Sequence, residues 1–184
     1  GGQPMLTRVM QALRDGGANR IAVSTDDGEV AALASEQGAV VMPTGQGPSS
    51  SAAIAFEKLG APMVLTTSDH ALLQGEWVRQ LVDDTPSDAD IGIMLARGEA
   101  IEAALPGSRR TYLRFTDGQW SGCNLFYLRT SQARAAIDSW QAVEADRKRP
   151  WRIARRLGLP TLISYALGKL TLDEGISRLG DRLG

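Results

Sequence analysis

A carboxylate at the end of a short apolar run is the side chain of this sequence best placed for chemistry. The stretch Met63–His70 reads MVLTTSDH, so a β-prone run ends in hydroxyl side chains, Asp69 and the only histidine. Parallel strands of α/β domains present ligands beyond their carboxyl ends, which places Asp69 to hold a metal or a phosphate-bearing substrate. Magnesium is usually held by one or two carboxylates together with substrate phosphates. The competing interpretation is an Asp that caps the following turn.

The histidine and the cysteine are weaker candidates. His70 precedes an apolar Ala-Leu-Leu run, where a lone histidine is more often packed or hydrogen-bonded than a base. Cys123 is the only cysteine, which excludes an internal disulfide and a zinc site built on cysteines. Because its own segment contains no histidine, a thiol nucleophile is disfavoured.

A loop rich in turn-forming residues, Thr44–Ser51 (TGQGPSSS), leads into a predicted helix. Unpaired backbone N–H groups at a helix N-terminus favour anions or hydrogen-bonding bases, so this loop could grip part of a nucleotide. The residues concerned are Gly47, Pro48, Ser49 and Ser50. An ordinary N-cap would need the same residue types. The loop does not match the Walker pattern, and no G-x-G-x-x-G follows any strand.

Basic residues are concentrated in two places. Arg109 and Arg110 precede a predicted strand, and guanidinium forks suit phosphates. For the second group, a solvated basic face is the commoner explanation. This group consists of Arg147, Lys148, Arg149, Arg152, Arg155 and Arg156.

Small residues at Ser121–Asn124 (SGCN) predict a turn that enters a strand. At such a place the backbone can approach a ligand closely at Gly122, and the Asn124 amide can bond a sugar hydroxyl. A plain β-bulge is the alternative.

Alternating helix and strand patterns must position these residues. Three helix-then-strand steps predict a parallel, doubly wound sheet in the first half of the chain. The predicted strands are Arg20–Thr25, Ala39–Pro43, Met63–Ser68 and Ala89–Ala96, and the predicted helices begin at Met5, after the cap Asp26-Asp27, at Ala52 and around Trp77. Segments Thr111–Phe115 and Asn124–Leu128 predict an antiparallel or mixed addition at the sheet edge. Helices follow from Ser131, from Pro150, and after a capping box at Thr171 and Glu174.

Length and charge limit the class of protein. The chain has 184 residues, so we expect one α/β domain over 1–184, with a sheet core over 1–130 and a helical tail over 131–184 packed on it. A net charge of −1 argues against a broad nucleic-acid surface. No apolar run approaches the roughly 20 residues that span a bilayer, so we expect no transmembrane segment. The single cysteine fits a reducing, cytoplasmic location.

In combination, five segments resemble a known superfamily. They are Gly2–Leu6 (G-x-P-M-L), Arg20–Thr25 (RIAVST), Gly47–Ser51 (GPSSS), Met63–His70 (MVLTTSDH) and Ser121–Phe126 (SGCNLF). Up to about Leu128 the chain resembles the MobA-like NTP transferases, typified by molybdenum cofactor guanylyltransferase. The late segment RKRPWRIARRLG is also similar to a subset of these proteins of uncertain substrate.

The resemblance implies a three-layer α/β/α Rossmann-like mixed sheet of the nucleotide-diphospho-sugar transferase type, with a C-terminal helical appendage. It implies a nucleotidyltransferase that moves an NMP group from an NTP to a phosphorylated small-molecule acceptor and releases pyrophosphate. By position, Asp69 would be the catalytic residue that binds magnesium, and Gly47–Ser50 would lie near the base. Gly122 and Asn124 would line the acceptor side. Arg109 and Arg110 would contact phosphate groups; this expectation rests on their charge and not on a family motif.

Two alternatives stay open beside this hypothesis. In the family, a strand, a Gly-rich phosphate loop and a lysine precede the helix that matches Gly2–Leu6, and a second metal-binding Asp commonly lies in a later strand. We expect these parts to lie outside residues 1–184; a non-catalytic nucleotide-binding or regulatory module is the alternative. A nucleotide-sugar glycosyltransferase usually has an acidic pair spaced by one residue, whereas His70 and Ala71 follow Asp69. The late Trp- and Arg-rich helices could form a homodimer or contact an anionic membrane surface.

Overall fold

Helices and strands alternate along most of the chain in the computed structural model, which describes residues 2–146 and 158–183. The helices are α1 Met5–Asp15, α2 Gly28–Glu36, α3 Pro48–Leu59, α4 Gly75–Asp84, α5 Gly98–Ala104, α6 Arg134–Ala145, α7 Leu159–Ala166 and α8 Leu172–Leu183. The strands are β1 Ala22–Ser24, β2 Val40–Met42, β3 Met63–Thr66, β4 Ile91–Arg97, β5 Leu113–Phe115 and β6 Gly118–Leu128. The mixed α/β class is therefore confirmed.

The structure corrects the predictions for the loop before α3 and for Ser121–Asn124. Helix α3 begins at Pro48 rather than at Ala52, because proline at the first helical position has its φ already set for a helix and the serines that follow continue it. The segment Ser121–Asn124 is part of the long strand β6 rather than a turn. Helices α5 and α7 were not predicted, and the helix predicted from Pro150 lies outside the described residues.

Strand pairing is both parallel and antiparallel. The parallel prediction is confirmed for β1 and β2, where Val23 lies opposite Val41. Strand β3 instead pairs antiparallel with β6, with Met63 opposite Leu128. The antiparallel hairpin of β5 and β6 is confirmed. The hairpin was predicted to lie at the edge of the sheet. This was wrong for β6, which lies between β3 and β4.

The chain divides into two compact units. The first consists of Gly1–Met94 with Asn124–Ile137, and the second of Leu95–Cys123 with Asp138–Gly184. Within the first unit, α1 contributes to two apolar clusters. Met10 packs with β1, α2 and β2, whereas Val9 packs with α4 and with Leu125 of β6.

Close contact between α1 and α4 depends on two glycines. A Cβ at Gly16 would lie 2.5 Å from Val78 Cβ, and a Cβ at Gly75 would lie 2.7 Å from Asp15 Cβ. Real Cβ atoms do not approach so closely, so α4 lies against the end of α1 only because both positions lack a side chain.

In the second unit the C-terminal helices pack on the β5–β6 hairpin. The Thr116 N–H donates to the Leu170 carbonyl at 3.0 Å, and the rings of Phe115 and Tyr165 meet edge to face at 5.4 Å. The capping box of α8 is confirmed, because the Glu174 N–H donates to Thr171 Oγ1 and the Thr171 N–H to Glu174 Oε2. Among the described helices, none combines the length and apolar character needed to cross a membrane.

Candidate functional site

Asp69 lies in the turn that leaves the carboxyl end of β3. The His70 N–H donates to the Thr67 carbonyl at 3.2 Å, which closes the turn around Asp69. The Asp69 side chain is exposed, and within the described part of the chain its carboxylate makes no hydrogen bond or ion pair. Its oxygens are therefore not used by a cap. A bound ligand could approach them without displacing a protein group.

The side chain of His70 points back to the strand that carries this turn. Its Nδ1 lies 3.3 Å from the hydroxyl oxygen of Thr66, the last residue of β3. The ring is half-buried. Because the His70 carbonyl also accepts from the Leu73 N–H at 3.0 Å, and Leu73 is buried in the core, His70 connects the Asp69 turn to the packed interior.

The donor set around Asp69 fits a hard cation shared with a substrate. Among the residues that the structure describes, no group of three or more His, Cys, Asp or Glu side chains could hold a metal ion by itself. One exposed carboxylate leaves most coordination positions to water and substrate oxygens, which is how magnesium binds at phosphate-transfer sites. A magnesium ion that also binds substrate oxygens would fit this single carboxylate.

The loop before α3 is held by its own serines. The Ser50 hydroxyl accepts from the Gly47 N–H and donates to the Gly47 carbonyl, both at 2.9 Å, and Ser51 Oγ accepts from the Gly45 N–H at 2.9 Å. Ser49 is buried, whereas Pro48 is exposed at the first turn of the helix. Because these bonds already use the Ser50 hydroxyl, a ligand would meet mainly the backbone of this loop.

Gly45 was not among the predicted site residues, yet the loop requires it. A Cβ there would lie 2.6 Å from Ser50 Cβ and 2.7 Å from the Ser50 carbonyl carbon. The sequence contains this glycine within a turn-rich loop. That Gly45 packs directly against Ser50 follows only from the folded structure.

Asn124 has a left-handed backbone conformation inside β6, with φ of 49°. Asn tolerates this region better than other non-glycine residues. Its side chain is exposed. The small-residue signature of Ser121–Asn124 therefore marks a local change of backbone direction rather than a turn between elements.

We expect Asn124→Ala to lower the free energy of unfolding by about 1 kcal/mol, because Ala pays the steric cost of the left-handed region. Asn124→Gly removes the same amide without that cost and should leave stability nearly unchanged. Chemical denaturation of the two variants checks this pair. Equal losses in both would show that the amide, rather than the backbone conformation, supports the strand.

In the second unit the structure brings together two of the predicted site residues. The Arg110 Nη2 donates to the Gly122 carbonyl at 3.1 Å. Arg109 and Arg110 are both exposed, and a Cβ at Gly122 would meet no atom within 4 Å. The backbone at Gly122 is therefore open to a ligand.

Cys123 lies beside this pair. Burial raises the pKa of the Cys123 thiol, and the positive charge of Arg110 and a backbone hydrogen bond at Ala96 lower it by less. The thiol therefore stays protonated to higher pH than a free cysteine and reacts slowly with alkylating reagents near neutral pH.

Removing the Arg110 charge should raise the Cys123 pKa further. We expect Arg110→Gln to shift the pH profile of iodoacetamide alkylation to higher pH, and Arg110→Lys to keep it close to that of the wild type. Alkylation rates between pH 7 and 10, followed by intact mass, check this. A shift to lower pH in Arg110→Gln would contradict it.

Sequence reasoning also missed Arg97, the last residue of β4. Its Cζ lies 4.5 Å from the centroid of the Trp120 ring. The predicted strand ended one residue earlier, at Ala96, and so left Arg97 outside it.

Comparisons with known proteins agree with this mixed α/β architecture. A family model for the MobA-like NTP transferase domain matches residues 1–167. The chain belongs to this family, as its five matching segments indicated. A solved structure described as a hypothetical transferase from Thermus thermophilus is similar at 33% sequence identity and a TM-score of 0.85, and the match covers 100% of this chain and 77% of that one. Among curated protein sequences, none matches this chain significantly.

Proposed function

We propose that the protein is a magnesium-dependent nucleotidyltransferase that moves an NMP group from an NTP to a phosphorylated small molecule. The observation that carries this proposal is the exposed carboxylate of Asp69, which follows β3 and has no partner among the described residues, in a chain of the MobA-like family. In the reaction, an oxygen of the acceptor phosphate attacks the α-phosphorus of the NTP. The bond between the α-phosphorus and the bridging oxygen breaks, and pyrophosphate leaves.

The role of Asp69 is to hold the magnesium ion with which the nucleotide binds. A magnesium ion held by Asp69 would supply neutralisation of phosphate charge. Because phosphoryl-group transfer depends on positioning and charge neutralisation, no covalent nucleophile is required. This agrees with a half-buried Cys123 whose pKa is raised, and with a His70 that already has a partner in Thr66.

The Gly47–Ser50 loop is proposed to contact the base. Its serine bonds keep the loop in one conformation before the ligand arrives, so less ordering is needed on binding. We propose that Gly122 and Asn124 line the site where the acceptor binds. Arg109 and Arg110 are proposed to contact phosphate groups. An Arg110 guanidinium that already donates to a backbone carbonyl retains further N–H donors for a phosphate.

Thermal unfolding with each common NTP, with and without magnesium, tests the proposal before the acceptor is known. A ligand that binds only the folded state raises its stability, by about 2.7 kcal/mol at 100 times its Kd. We expect at least one NTP to raise Tm with magnesium and to lose most of this effect with EDTA. If no NTP changes Tm, the proposal is wrong.

The products then separate the alternatives. With the stabilising NTP and a panel of phosphomonoesters, nucleotidyl transfer releases pyrophosphate. A glycosyltransferase would instead act on a nucleotide-sugar and release a nucleoside diphosphate. Binding without turnover on any acceptor would favour the regulatory module.

A further inference from the structure

A pair of side chains closes the turn that carries Asp69. The hydroxyl oxygen of Thr66 lies 3.3 Å from Nδ1 of His70, and the His70 N–H donates to the Thr67 carbonyl at 3.2 Å. The residues between the paired side chains are Thr67, Ser68 and Asp69, and all of them are exposed. The pair therefore holds together the two ends of a short exposed segment.

Both members of the pair are attached to the packed part of the first unit. Thr66 is the last residue of β3 and lies opposite Leu125 of β6, which is fully buried. The His70 carbonyl accepts from the N–H of Leu73 at 3.0 Å, and Leu73 is buried in a cluster with Val9 of α1. The exposed segment is therefore connected to the core at each of its ends.

The direction of the Asp69 carboxylate depends on the backbone of this turn. No described residue bonds to the carboxylate, so contacts of its own do not orient it. Within the described part of the chain it also belongs to no group of three or more possible metal ligands. Groups that orient a metal ligand typically contribute about 10- to 100-fold in metal affinity. At Asp69 such an effect must act through the backbone, which the contact between Thr66 and His70 holds.

We propose that Thr66 and His70 are positioning residues for a magnesium ion at Asp69. This role rests on the proposed nucleotidyl transfer, because it requires the metal at Asp69. With Nδ1 as the acceptor, the Thr66 hydroxyl donates to the ring, and the ring carries its proton on Nε2. A separation of 3.3 Å is long for such a bond, so it contributes little to the stability of the whole chain. Its loss should be measurable at the metal site rather than in folding.

Thr66→Val removes the hydroxyl, keeps a β-branched side chain and tests this role in the whole protein. The magnesium requirement is read from Tm with the stabilising NTP across a magnesium titration. We expect Thr66→Val and His70→Phe each to need about tenfold more magnesium, and the double variant no more than either, because both remove the same bond. Thr66→Ser retains the hydroxyl and should restore the requirement to within about threefold of wild type. Without ligand, Tm should fall by less than about 4 °C.

Thr85→Val is the matched control. Thr85 is a half-buried threonine of the same unit that follows the last residue of α4, and its hydroxyl donates to the Leu81 carbonyl. The ten residues of α4 separate it by about 15 Å from the turn before Gly75. This variant loses a bonded hydroxyl in the same way, but its magnesium requirement should stay within about twofold of wild type. An equal increase in Thr66→Val and Thr85→Val would overturn the positioning role.

The bond itself can be tested without any ligand. The chain contains one histidine, so in untagged protein the ring nitrogens of His70 give a single set of signals in a nitrogen NMR spectrum. At one fixed pH, we expect the Nδ1 signal to move in Thr66→Val and to keep its wild-type position in Thr66→Ser and Thr85→Val. An unchanged Nδ1 signal in Thr66→Val would show that Thr66 does not bond to the ring, and the positioning role would be wrong.

The outcomes for the positioning role and for the proposed function can be told apart. If the wild-type protein binds no NTP with magnesium, both the nucleotidyl transfer and the positioning role are wrong. If the wild type binds an NTP with magnesium and Thr66→Val needs no more magnesium than the wild type, only the positioning role is wrong.

Discussion

Asp69→Asn lowers magnesium-dependent pyrophosphate release by about 100- to 1,000-fold, because the amide has no negative charge for the ion and metal stabilisation of transferring phosphate is worth several kcal/mol. The fold should be unaffected, since the Asp69 side chain is exposed and forms no bond in the described structure. Steady-state rates across a magnesium titration measure the effect. We expect the variant to need more magnesium and to stay slower at saturation.

Asp88→Asn provides the matched control for this substitution. Asp88 is also an exposed carboxylate of the first unit, in the connection between α4 and β4, and the exchange removes the same charge from the protein. Its rate should stay within about twofold of wild type, because at physiological salt an isolated surface charge acts over roughly 8 Å. Full activity in Asp69→Asn would refute the metal role, and equal losses in both variants would indicate a nonspecific charge effect.

Local features of the fold were predictable because neighbouring residues determine them. Asp27 caps α2 by accepting from the N–H groups of Glu29 and Val30, as its position before an apolar helical pattern indicated. Thr171 and Glu174 form the expected box at α8. Apolar periodicity located β3 and thereby the Asp69 turn. In each case the partners lie within four residues of one another.

Features that depend on distant partners were not predictable. The pattern of β6 indicated a strand but not that it would lie between β3 and β4, because a strand with two neighbours has the same apolar pattern as a strand with one. From the sequence, a positive φ at Asn124 within a strand could not be distinguished from a turn, because small polar residues are favoured in both.

In the candidate site, too, residues with a local signal were predictable and residues that depend on distant partners were not. Asp69 was found because its signal is local, a carboxylate directly after a strand. Arg97 was missed because its importance comes from Trp120, which is far away in sequence and lies beside it only after β4 and β6 have come together. The charge of Arg110 predicts a phosphate contact, and the structure adds its hydrogen bond to the Gly122 carbonyl.

Gly75→Ala should destabilise the first unit by about 1–3 kcal/mol, the usual cost of forcing a methyl group into a packed contact. The new Cβ would lie 2.7 Å from Asp15 Cβ and 2.9 Å from the Asp15 carbonyl carbon, so the start of α4 must move away from α1. For a chain of this length the loss corresponds to a fall in Tm of about 2–12 °C. Calorimetry or circular dichroism measures it.

Gly28→Ala separates this contact from the general effect of replacing glycine. Gly28 is likewise the first residue of its helix, α2, but a Cβ there would meet nothing within 4 Å, so the substitution should be neutral or stabilising by up to about 1 kcal/mol. Because Leu73 and Gly75 fix the far end of the Asp69 turn against the core, Gly75→Ala should also weaken magnesium-dependent NTP binding, whereas Gly28→Ala should not. Stability lost without any change in NTP binding would show that the turn is positioned by His70 and Thr66 alone.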